Sequence, residues 1–251
     1  MCVVALAWRA HPHWPLILAG NRDEFHARAA TPLARWPTPP GWSEPGLIGG
    51  QDLQSGGMWL GVSEAGRFAV VTNLTGFGAP EPALRSRGAL VRDWLEAGLL
   101  DADGLMDFNP FNLFVATPEG AHLLSNRPGP AMRALEPGLH TLSNAQPGVP
   151  WPRKDRLERD MQAWLDRDDG AMDTLFDLLK AEDWPDGTPE PRPEDDRLPS
   201  PVFIRDTVYG TRCSTVIAID AKGRGQAMER RFDSAGYACG ESMVPFAWPM
   251  P

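Results

Sequence analysis

Cys2 combines more reactive groups than any other residue in the chain. Processing that removes an initiator methionine tolerates a small second residue, so Cys2 is expected to become the amino terminus. A terminal cysteine carries a thiol and a free α-amine on one residue, which is a nucleophile supplied with its own base. The amine titrates near ~7.7–8.0 and an unperturbed thiol near ~8.5, so a proton passes between them near neutrality at little cost. The plain alternative is a small residue that opens a strand.

Four other segments carry side chains of the right type to serve such a nucleophile. Gly20-Asn21-Arg22-Asp23-Glu24-Phe25 follows the apolar run 16–19, and rigid scaffolds present reactive groups where strands stop. A guanidinium from this run near Cys2 favours thiolate, and a carboxylate there can hold an α-ammonium. Alternatively, the charges simply solvate a strand end. Asn73 closes one strand-like segment and Asn144 another. Asparagines at strand ends donate N–H groups to a developing oxyanion, or else they are turn residues tolerant of left-handed geometry. Arg212, in Tyr209-Gly210-Thr211-Arg212-Cys213, is a second cation that binds either a substrate carboxylate or the backbone of another loop.

Other chemistries lack a pattern. The five histidines show no metal-ligand spacing, and only His26 lies near the Asn21–Glu24 cluster in sequence, so no metal site is expected. GxxxxGK[ST], GxGxxG and GxSxG are absent, which leaves phosphate cradles and α/β-hydrolase chemistry unsupported.

The elements that must position these residues are mostly strands. Cys2–Trp8 and 16–19 make a first hairpin, 58–62 and 67–72 a second, and 112–117 with Ala121–Ser125 a third. A short strand follows at 138–143, and 215–220 with 226–231 closes the chain's strand pattern. Apolar stripes at helical spacing mark helices over 87–99, 152–166 and 171–182. Repeated hairpins with segregated helices indicate a layered α+β domain. The stretch 185–201 is rich in proline and acidic residues and is expected to be a mobile insertion within one domain covering 1–251.

Bulk properties narrow the class. The net charge of -9 argues against a nucleic-acid partner, which needs basic surface. Three widely spaced cysteines make neither a disulfide framework nor a zinc site, which suits a reducing compartment. No signal peptide and no apolar run of membrane-spanning length is visible, so the expected location is the cytoplasm, without membrane insertion.

The Met-Cys strand, the run Ala19-Gly20-Asn21-Arg22-Asp23-Glu24-Phe25, Gly56-Gly57-Met58-Trp59-Leu60-Gly61 and Thr72-Asn73 together resemble the NRDE family, also called transport and Golgi organisation protein two. Ser86-Arg87-Gly88, Leu142-Ser143-Asn144 and Tyr209-Gly210-Thr211-Arg212 extend the likeness over nearly the whole chain. The resemblance implies an amino-terminal-nucleophile (Ntn) hydrolase-like fold, a four-layer αββα sandwich of two antiparallel sheets between helices. It is similar, more distantly, to cysteine-type Ntn enzymes of the choloylglycine hydrolase and penicillin acylase group, which cleave linear amides. By that likeness Cys2 attacks the carbonyl, Arg22 sits beside the thiol, Asp23 orients the amine, Asn73 and Asn144 bind the oxyanion, and Arg212 completes the cationic side, with no cofactor required.

The adjacency of Arg22 and Asp23 departs from those acylases. Neighbours in a strand face opposite ways, so both line one site only if the strand has ended and turned; Asn21 shares a face with Asp23 otherwise. Eukaryotic members of the resembled family are linked to secretory-pathway organisation, acyl-lipid and acyl-coenzyme A metabolism, and haem movement. The alternative expectation is therefore a non-catalytic binding protein for an acyl lipid or haem, with Cys2, His26 or a methionine as a possible axial ligand.

Overall fold

The computed structural model describes residues 2–37, 46–100, 103–167, 170–183 and 200–250. The stretch 185–201 lies outside these residues, except for Ser200 and Pro201. In chain order the strands are β1 (Cys2–Trp8), β2 (Leu16–Phe25), β3 (Ala34–Arg35), β4 (Leu47–Gly49), β5 (Leu60–Ser63), β6 (Arg67–Asn73), β7 (Phe111–Ala116), β8 (Ala121–Ser125), β9 (Ala131–Ala134), β10 (Gly138–Leu142), β11 (Tyr209–Ile219), β12 (Arg224–Phe232) and β13 (Ala238–Ala247). Helix α1 (Arg87–Ala97) falls between β6 and β7, and α2 (Pro152–Arg167) and α3 (Leu175–Leu179) fall between β10 and β11.

Among the described residues the strands form two antiparallel sheets, ordered β10-β1-β2-β11-β12-β13 and β3-β4-β5-β6-β7-β8-β9. Strand alternation sorts their side chains into layers. Val4, Leu6 and Trp8 of β1 and Leu16 and Leu18 of β2 point at the second sheet and pack with Ile48, Val62, Phe68 and Phe114. Val3, Ala5, Ala7, Ile17 and Ala19 point the other way, against Leu157, Met161 and Trp164 of α2 and Leu175 and Leu179 of α3. On the far side, Leu90, Val91 and Leu95 of α1 pack on Ala69, Val71 and Leu113. The result is the expected α–β–β–α stack, with both sheets buried on both faces near their centres.

The β2 strand runs past the expected end at residue 19 to Phe25, so the polar run lies within it. Polar residues persist there because each finds a partner. Asn21 Nδ2 donates to the carbonyls of Leu179 (2.8 Å) and Val202 (2.9 Å), and Ser214 Oγ donates to Asn21 Oδ1 at 2.6 Å. Asn21 thus serves one carbonyl at the end of α3 and one in the segment before β11, away from the Cys2 face. The third helix is also shorter than the apolar spacing indicated, a 3₁₀ turn at Met172–Thr174 followed by a single α-turn segment.

Candidate active site

The register of three neighbouring strands builds the site. Cys2 lies opposite Arg22, and Arg22 lies opposite Cys213, so the three form a row across β1, β2 and β11. By alternation from Val4 and Leu18 this row faces the space between the sheets. There it opens into a cleft of about 510 Å³ also bordered by Glu24, Arg28, Asp52, Met58, Asn73, Arg87 and Arg212.

Asp23, one residue on, faces the helical layer instead. Arg153 of α2 meets its carboxylate at 2.6 Å, with neither side chain exposed to solvent. Thr211 Oγ1 donates to Asp23 Oδ1 at 2.7 Å, and Tyr209 Oη donates to its carbonyl at 2.8 Å. A bulge between Thr211 and Cys213 makes this possible: it turns Thr211 to the Asp23 side while Cys213 stays on the cleft side. The adjacency of Arg22 and Asp23 therefore needs no end to the strand. Arg22 lies on the Cys2 face of the sheet, and Asp23 acts on Cys2 through its charge and its backbone N–H.

The chain segment around Asn144 holds the start of β1. Asn144 Oδ1 accepts from the Cys2 backbone nitrogen at 3.3 Å, while Asn144 Nδ2 donates to the Asn73 carbonyl at 2.8 Å. Ser143 Oγ donates to the Cys2 carbonyl (3.0 Å), and Thr72 Oγ1 donates to the Ser143 carbonyl (2.7 Å), tying the two sheets together at this point. Asn73 borders the cleft, and its side chain makes no hydrogen bond among the described residues.

Burial pushes the Cys2 thiol above the ordinary cysteine range. With Met1 retained, its charged α-amine opposes that rise, the Asp23 charge adds to it, and the Asp23 N–H and Arg22 pull against it. Arg22 is itself flanked by carboxylates, 3.5 Å from Asp52 and 3.8 Å from Glu24. Asp52 also takes Arg28 Nε at 2.6 Å and accepts the N–H groups of Gln54 and Ser55. Burial works against the Asp52 charge, but Arg28 and those N–H groups outweigh it and hold the carboxyl below the usual range.

Arg212 is the extra residue of the bulge. Its Nη1 donates to the carbonyls of Phe25 (3.0 Å), His26 (3.0 Å) and Arg28 (3.1 Å), so of the two sequence readings the structure realises the clamp on a neighbouring loop. His26 meets the Asp206 carbonyl at 2.9 Å and does not border the cleft.

Three participants escaped sequence reasoning. Arg153 reads as one more charge at a helix start, and only the fold brings it to Asp23. Asp52 sits in a turn with no neighbouring motif. Arg87 lies inside the Ser86-Arg87-Gly88 run, whose recurrence in the resembled family was the one available signal.

Comparison with known proteins agrees with this architecture. Residues 1–234 match the family model "Transport and Golgi organisation 2". The human homologue of transport and Golgi organization protein 2 is 30% identical, the alignment covering 92% of each chain, and the mouse homologue is 29% identical over the same shares. The Drosophila melanogaster protein is 28% identical over 91% of each. Among solved structures, a Caenorhabditis elegans orthologue of N-acylethanolamine-hydrolyzing acid amidase superposes with a TM-score of 0.53 at 13% identity, covering 86% of this chain and 92% of its own. A mutant conjugated bile acid hydrolase from Clostridium perfringens gives 0.52 at 10% identity, covering 99% and 97%. At these identities the likeness is one of fold, that of the Ntn hydrolases.

Proposed function

The chain belongs to the transport and Golgi organisation 2 family and has an Ntn-hydrolase-like fold, and from that starting point we propose that it is a cysteine-type Ntn hydrolase of a small linear amide or acyl compound. The observation that carries this reading is the double engagement of Cys2. Its side chain borders the cleft, and its nitrogen is held by Asn144 Oδ1 at 3.3 Å. Loss of Met1 turns that nitrogen into a primary amine beside its own thiol.

In the proposed reaction the Cys2 sulfur attacks the carbonyl carbon as the α-amine takes the thiol proton. General-base assistance matters here because burial disfavours a free thiolate. The oxyanion accepts from the Asn73 side-chain amide, with Asn144 holding the adjacent backbone and the amine in place. Collapse breaks the C–N bond, and the leaving amine takes the proton from the α-ammonium. A water then attacks the thioester, giving a carboxylic acid and the restored thiol. Asp23, fixed by Arg153 and Thr211, is a positioning residue for the start of β1.

The raised thiol favours one other reading, a cleft that binds an acyl lipid or haem without chemistry. Cys2, Cys213, Cys239 and Met58 are the soft donors that border the cleft, whereas His26 does not. The two readings separate on one experiment. After incubation with N-acyl amides and rapid acid quench, the Cys2 peptide of an Ntn hydrolase gains the acyl mass as a thioester, and hydroxylamine removes it. Saturable binding with no acyl-Cys2 and no amide cleavage would favour the binding role.

A further inference from the structure

We propose that Arg87 is an anion-binding residue of this cleft, and that the ligand presented to Cys2 carries a carboxylate or similar single anionic group. As a statement about substrate this rests on the hydrolase reading; as a statement about the cleft it does not.

The cleft contains several arginines, and the others are engaged. Arg22 and Arg28 share Asp52 and Glu24, Arg231 pairs with Glu229 at 3.0 Å, and Arg212 serves three carbonyls. The remaining acidic groups at its border are Asp23, held by Arg153, and Glu81, exposed at the rim. Arg87 makes no ion pair among the described residues. Its hydrogen bond is a 3.3 Å contact from Nη1 to the Pro110 carbonyl, which leaves most of a five-donor guanidinium unused. Burial works against the guanidinium's charge, and the charges of Cys2 and Glu24 act in its favour. A half-buried cation without a carboxylate, bordering the same cleft as Cys2, suits an anionic ligand. The molecule as a whole, at net charge -9, repels anions, so the attraction must be local.

Arg87 is also rigidly placed. It opens α1, and Gly88 beside it packs on Gly57 so closely that a Cβ on Gly57 would lie 2.3 Å from the Gly88 carbonyl carbon. Met58 N donates to the Gly88 carbonyl at 3.1 Å. Ser86 and Gly88 border the cleft too, Ser86 makes no side-chain cap, and the first turn of α1 holds no acidic residue, so the positive end of the helix adds to the arginine's field.

The test compares alkylation of Cys2 by iodoacetate and by iodoacetamide, read site by site through peptide mass spectrometry. The ratio of the two rates cancels the thiolate fraction and isolates attraction for the anionic reagent. For wild-type protein the ratio at Cys2 is expected to exceed that of free N-acetylcysteinamide by about tenfold. Arg87→Gln should lower it to the free-thiol level, and Arg87→Lys should retain part of it. An unchanged ratio in Arg87→Gln would overturn the proposal. If that variant fails to fold, wild-type protein still decides: N-acetylglycine should slow iodoacetamide labelling of Cys2 and neutral N-acetylglycinamide should not, while equal protection by both would overturn it. Amide turnover fails or survives independently of these ratios. For a working hydrolase, Arg87→Gln should raise KM for N-acyl amino acids with little change for their neutral amides.

Discussion

At the scale of single residues, the site divides into groups that touch Cys2 and groups that hold them. Asn144 does both jobs, since its oxygen takes the Cys2 nitrogen and its amide takes the Asn73 carbonyl. Asn144→Ala is expected to lower turnover by about 10²–10³-fold, the loss seen when an oxyanion-binding or positioning hydrogen bond is deleted, with both kcat and the acylation burst falling together. Arg22 should matter less than its place opposite Cys2 suggests, because Asp52 and Glu24 divide its charge. Arg22→Met is expected to slow iodoacetamide labelling of Cys2 by less than about tenfold and to shift its pH profile upward, since this guanidinium lowers the thiol's pKa. A large loss would mean that Arg22 acts on the thiol directly. For the wild type, burial places the thiol above ~8.5, so the labelling rate should go on rising beyond that pH instead of levelling there.

At the scale of elements, much of the frame was legible and the ends of strands were not. β1 and β8 have the bounds that their apolar runs indicate, and α1 and α2 agree to within two residues. The extension of β2 through Asn21-Arg22-Asp23 escaped notice because its partners, Leu179, Val202, Arg153 and Thr211, lie more than a hundred residues away. Local propensity disfavours such a strand, and only the tertiary partners compensate. β13 was missed for a different reason. It is an edge strand carrying Gly240, Glu241 and Pro245, the composition that keeps an edge from pairing further and that hides it from a search for apolar runs. Cys2, Arg22 and Asn73 do reach one cleft, with Asn144 behind them, but the division of labour between Arg22 and Asp23 follows from the β11 bulge and could not be read from spacing. The buried Asp23–Arg153 pair joins β2 to α2, and breaking it should be costly. Arg153→Met leaves an uncompensated carboxylate and is expected to destabilise the protein by about 3–5 kcal/mol in chemical denaturation. A loss below 1 kcal/mol would show that Asp23 finds another partner.

At the scale of the whole molecule, two sheets buried on both faces bring β1 and β6 together at one end, and the cleft exists because polar stitching replaces apolar packing there. The same region sets the acid response. The folded-state pKa of Asp52 is depressed below its unfolded value, so its contribution to stability is present above about pH 4 and is lost as pH falls through the folded pKa. Acidification should therefore loosen the 51–55 turn over the cleft, seen as lower amide-exchange protection there, relative to the intrinsic rate at each pH, below about pH 4 than at pH 7. The central claim, that Cys2 is an amino-terminal nucleophile, is tested most directly by a paired measurement on protein from its native host: intact mass, and turnover of N-acyl amides by wild type and by Cys2→Ala of equal thermal stability. The account requires Met1 to be absent and turnover to vanish in Cys2→Ala, a loss of at least ~10⁴-fold since the attacking sulfur is gone and the retained α-amine has no thiol to deprotonate. Met1 fully retained, which leaves the Cys2 nitrogen an amide unable to accept a proton, or an amidase activity indifferent to Cys2→Ala, would contradict it.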